Sequence, residues 1–153
     1  MTTHDHHQAH TSRAMALSAT LHCLTGCAIG EIAGLIIGTA AGLSNTVTIA
    51  ISVSLAFLFG YALSTLPLLK AGLGFASALA VVFAADTLSI ATMEVVDNAV
   101  MVSVPGAMEA GLSSALFWLS LAGAFAVAFV VTTPVNRWLM GRGLGHAVVH
   151  AYH

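Results

Sequence analysis

TVTIAISVSLAFLFGYALSTLPLL, residues 46–69, holds no Asp, Glu, Lys, Arg or His. It is closed by Pro67 and Lys70. A bilayer core about 30 Å thick takes roughly 20 apolar residues per helix, and this run fits that length. Three further runs of the same kind flank it, at about 15–43, 72–103 and 113–140. The turn signals GLSN (42–45) and Pro105-Gly106 separate them, together with the short Lys70–Gly72 stretch. Short connections set sequential neighbours antiparallel. The pattern predicts an all-α, polytopic membrane protein, four transmembrane helices in an antiparallel bundle. A His-rich tail (1–14) precedes the four-helix domain (15–140), and a His-containing tail (141–153) follows it.

Composition points the same way. Hydrophobic residues make up 58% of the 153 and charged residues 7%, with a mean hydropathy of +0.95. A soluble domain carries about 25% charged residues, because charge covers its surface. An ordinary soluble enzyme and a disordered chain are therefore excluded. Four Lys+Arg and a net charge of −2 leave no basic patch for nucleic acid. No nucleophile–base pair, phosphate loop or cofactor fingerprint is visible, so no enzyme is expected. The polar opening MTTHDHHQAHTS (1–12) does not resemble a secretory signal.

The basic residues give an orientation. Arg13 precedes the first span, Lys70 lies between the second and third, and Arg137 and Arg142 end the fourth. The other two loops carry neither Lys nor Arg. By the positive-inside rule both termini are expected in the cytoplasm.

Ionisable groups inside a membrane are costly and mark function. The first span carries His22, Cys23, Cys27 and Glu31; the third carries Asp86, Met93, Glu94, Asp97 and Met101. At about 100° per residue, Cys27 and Glu31 fall near 40° and 80° from Cys23, and Gly26, Gly30, Gly34 and Gly38 fall within about 60° of it. Glycines at this spacing admit a second helix closely. The thiols and the carboxylate therefore face a neighbour. On the third span, Met93 and Asp97 lie within about 20° of Asp86, Met101 near 60° and Glu94 near 80°. Counting depth from the span starts puts Cys27 and Asp86 at about 20 Å along their helices. The expectation is one polar seam between the first and third helices. From outside inward it reads Met101, Asp97, Glu94 and Met93, then Asp86 facing Glu31, then Cys27, Cys23 and His22. If the third helix spans with only its first turns, Glu94 and Asp97 instead sit solvated at the outer interface.

Thiolate and thioether select soft metals, copper(I) above all. A disulfide between i and i+4 of one helix is strained. The tails add His4, His6, His7 and His10 at one end and His146, His150 and His153 at the other, and short His-rich tracts read as metal binding. If Met1 is removed, the amine of Thr2, two backbone nitrogens and His4 can form a square-planar site for Cu(II) or Ni(II).

HCLTGCAIGEIAGLIIGT (22–39), AADTLSIATMEVVDNAVM (84–101), PVNRWLM (134–140) and GHAVVHAYH (145–153) resemble a bacterial family of four-helix membrane proteins classed as a domain of unknown function. Its members are sometimes labelled copper oxidase-associated. The resemblance implies a copper connection, a multicopper oxidase or metal chaperone as partner, and the bacterial inner membrane, but no mechanism. The reading from sequence is a membrane protein that binds and moves a transition metal ion, copper first, along the seam. In the lipid bilayer it works as a homo-oligomer. The alternatives are a non-transporting anchor, sensor or assembly subunit of a metalloenzyme, and a proton pathway through Glu31 and Asp86.

Overall fold

The computed structural model describes residues 3–142, with side chains described from residue 13 onward. Four helices follow in order: α1 (Thr3–Ala40), α2 (Asn45–Lys70), α3 (Phe75–Ser103) and α4 (Ala115–Gly141). No strand occurs among the described residues. Each helix has a stretch long and apolar enough to cross a membrane, the one in α1 running Arg13–Ala40. The α1 helix begins earlier than hydropathy places it, running from Thr3 through the His-rich segment without a break. The other bounds lie within a few residues of expectation.

Glycine makes the tight inner turns possible. Gly42 and Gly72 have φ of +65° and +92°, a left-handed backbone that a Cβ disfavours. Beyond α1, Leu43 N–H donates to the Gly38 carbonyl at 2.9 Å; beyond α2, Leu73 N–H donates to the Leu68 carbonyl at 3.1 Å. Both are helix-terminating bonds that satisfy carbonyls the helix leaves open. Ser114 caps α4 by accepting from Leu116 N–H at 3.2 Å.

The helices pack in ring order α1–α2–α3–α4, α4 closing back on α1, and α1 also meets α3 across the middle. The α1–α2 contact is the closest. A Cβ built on Gly26 would lie 2.7 Å from Gly60 Cα; one on Gly30 would overlap the Leu55–Ala56 peptide, and one on Gly34 would overlap Ser52. The glycine ridge therefore seats α1 on α2, as small residues do where lipid supplies no hydrophobic drive. That leaves the neighbouring stripe of α1 pointing at the bundle axis.

The outside is apolar all round. Leu21, Leu58, Phe83, Val95, Leu119 and Val130 are exposed, as lipid-facing side chains are. Trp118 and Trp138 are exposed on α4, about 20 residues or roughly 30 Å apart along the helix. That spacing matches two aromatic belts across one hydrocarbon core. Trp138 stacks under the Arg142 guanidinium at 4.4 Å, and Trp118 Nε1–H donates to the Leu112 carbonyl at 2.7 Å. The protein is a multi-pass membrane protein of four spans.

Candidate functional site

The awkward side chains of α1 and α3 do meet, along the bundle axis. Cys23, Cys27, Glu31, Asp86, Met93, Glu94, Asp97 and Met101 are all buried. His22 is half-buried at the edge of the stripe. Glu94 and Asp97 are 4% and 1% exposed, so they lie inside the bundle rather than solvated at its end.

The register differs from the one expected. Cys27 faces Glu94 and lies against Cys23. Glu31 faces Asp97, with Glu94 also near. Asp86, expected opposite Glu31 and Cys27, lies 11 residues before Asp97, about 16 Å further along α3. The seam from the α1–α2 turn downward is Met101, then Asp97 with Glu31, then Glu94 with Cys27, then Met93 and Cys23. Asp86 lies below these, engaged in interactions of its own. Depth counted from span ends failed because packing sets the register. The glycine ridge fixes α1 on α2, and a polar bridge fixes α3 on α1 through α4.

That bridge was invisible in the spacing argument. Asn136 Nδ2–H donates to Thr20 Oγ1 at 2.8 Å, and Asn136 Oδ1 accepts from Ser89 Oγ. Thr20 Oγ1–H passes on to the Ala16 carbonyl at 2.8 Å. One amide thus ties α1, α3 and α4, as polar side chains do between membrane helices. The signal was a lone Asn inside PVNRWLM; its partners Thr20 and Ser89 had none.

The sulfurs form a group. Cys23, Cys27 and Met93 share one buried cluster with Ala56, Ile90 and Ala128, so all four helices enclose them. Both cysteines are free thiols. Met101 belongs to a second cluster with Ala107, Phe117, Leu121 and Ala124, which Met108 joins from the loop.

The carboxyls lack regular partners. Glu31 Oε2 and both oxygens of Glu94 and of Asp97 make no hydrogen bond of regular geometry, although these groups face one another. The described cations Arg13, Lys70, Arg137 and Arg142 are all exposed. A buried carboxylate without a counter-charge needs a proton, water or a bound cation. Among the described residues no three His, Cys, Asp or Glu side chains are grouped to hold a metal. The expected nine-residue ligand set is therefore not one site: the sulfurs, the Glu31–Asp97 pair and Asp86 occupy successive levels. The side chains of His4, His6, His7 and His10, and the whole of His146, His150 and His153, fall outside the described residues.

The family described as "Domain of unknown function (DUF4396)" matches residues 12–145. That is most of the chain, which therefore belongs to this family. No curated protein and no solved structure matches it.

Proposed function

We propose that this member of the DUF4396 family binds a soft monovalent metal cation, copper(I) by ligand chemistry, at Cys23, Cys27 and Met93, and moves it along the α1/α3 axis. The ion is cargo, not a resident cofactor, and no chemical conversion is assigned to the protein. The observation that carries the reading is the enclosure of two thiols and a thioether in one buried cluster. Soft sulfur donors select Cu(I), which accepts low coordination numbers, whereas hard cations need several oxygens. The Glu94 carboxyl beside Cys27 adds negative charge that favours a cation there. The basic residues at one end of the bundle support placing both termini in the cytoplasm of a bacterial inner membrane.

A second reading is that the same site stores or senses the ion, as an anchor or assembly subunit of a metalloenzyme. The apolar layer of Met101, Phe117 and Leu121 across the axis favours it.

The test is competition with a chromophoric copper(I) chelator, using the full chain in nanodiscs. Wild type should withdraw about one ion per chain. Cys23→Ser/Cys27→Ser should withdraw none, and equal uptake by both would refute the sulfur site. Copper flux into proteoliposomes then separates movement from storage.

A further inference from the structure

The sulfur site leaves the Glu31–Asp97 pair without a task. The two side chains come from different helices, α1 and α3, and meet at the axis one turn beyond Cys27 and Glu94. Glu31 is 3% exposed and Asp97 1%. Glu31 Oε2 and both Asp97 oxygens lack a hydrogen-bond partner. The pair is thus acceptors turned toward acceptors, with no donor between them.

The surroundings offer no remedy. On α3 the other facing group is Glu94, itself an acid. On α1 the titratable side chains between Arg13 and Glu31 are His22, Cys23 and Cys27, all toward the opposite end. The only titratable side chains of α2 are Tyr61 and Lys70, and of α4 Arg137. Tyr61 is occupied with Thr87 Oγ1 at 2.8 Å, and the two cations are exposed. Two carboxylates so placed repel with nothing to offset them. One proton resolves both problems: it removes one charge and turns one oxygen into a donor for the other carboxylate.

Apolar layers bound the pair along the axis. Below lie Ile90, Met93 and Ala128 with the two cysteines; above lie Met101, Phe117 and Leu121. Phe117 also lines a cavity of about 390 Å³ at the α1–α2 turn, with Glu109 and Asn45 in its wall. One layer of side chains therefore separates the pair from an open vestibule.

We propose that Glu31 and Asp97 form a proton-binding pair that holds one exchangeable proton on the bundle axis, with access from this vestibule. This rests on side chains other than the sulfur trio and stands apart from the copper reading.

The test is infrared difference spectroscopy of the full chain in nanodiscs, comparing acidic with alkaline buffer in H2O and D2O. Wild type should give the carbonyl stretch of a protonated carboxylic acid that shifts in D2O and titrates. Glu31→Gln/Asp97→Asn should lose that signal, while Cys23→Ser/Cys27→Ser should keep it. A folded double variant with the wild-type signal overturns the proposal. If that variant does not fold, the single variants decide: Asp97→Asn and Glu31→Gln should each move the titration, and a titration unmoved in both overturns it. Loss of copper uptake with an intact carboxyl signal would count against the sulfur site alone.

Discussion

Replacing Gly26 by Ala adds one methyl group where the α1 and α2 backbones cross. The new Cβ would lie 2.7 Å from Gly60 Cα and 3.1 Å from Gly60 N. Carbon atoms rest at about 3.5–4.0 Å, so α1 must move off α2 by roughly 1 Å at this point. The atom it meets is backbone, which cannot rotate away. A gap of 0.5–1 Å forfeits about a quarter to a half of each contact's attraction, and the ridge continues through Gly30 and Gly34. Overpacking of this kind costs about 1–3 kcal/mol. Gly123→Ala is the matched control, because a Cβ there meets nothing within 4 Å; its change should stay within about 0.5 kcal/mol. Reversible unfolding in mixed micelles, followed by the fluorescence of Trp118 and Trp138, measures both. Gly26→Ala should also weaken copper(I) uptake, since Cys27 is its chain neighbour. If the two alanine variants are equally stable, α1 does not sit on α2 through its glycines, and the placement of the sulfurs at the axis loses its cause.

Met93→Leu conserves volume, so stability should fall by less than about 1.5 kcal/mol, while copper(I) affinity in the chelator assay should drop; undiminished affinity would remove the thioether from the site. Thiols must lose their protons to ligate a metal, so copper uptake should release protons and tighten as pH rises, which a pH-indicator dye reads directly. Asn136→Leu removes the tie between Thr20 and Ser89 and should destabilise by about 0.6–1.7 kcal/mol, the span measured for polar contacts between membrane helices. A double-mutant cycle with Thr20→Val should show coupling, and additivity of the two changes would sink the bridge. Brominated lipids with bromine near the headgroups should quench Trp118 and Trp138 about equally, because the pair spans roughly one hydrocarbon thickness.

Much of the site's composition could be read along the chain. Cys23, Cys27 and Glu31 share a stripe because their spacing is four residues, and Met93, Asp97 and Met101 share one for the same reason. Their inward orientation followed as well, since charged and thiol groups in apolar helices turn from lipid. Their pairing did not follow. Matching Asp86 with Glu31 assumed that the helices start level, whereas Glu31 meets Asp97. Neither Thr20 nor Ser89 could be singled out, because a hydroxyl in a membrane helix satisfies itself on its own backbone as readily as on a neighbour.

What the chain alone determines is the number of spans and which face of each turns inward. Both depend on chemistry between a residue, its near neighbours and the surrounding lipid. Tertiary structure decides how far α3 is slid along α1, because a slide by whole turns keeps every inward face inward and leaves the helical pattern unchanged. Only contacts between distant segments distinguish those slides: glycines 26, 30 and 34 bedding on α2, and Asn136 bonded to both Thr20 and Ser89. Those contacts put Glu94 beside a thiol and Asp97 beside Glu31.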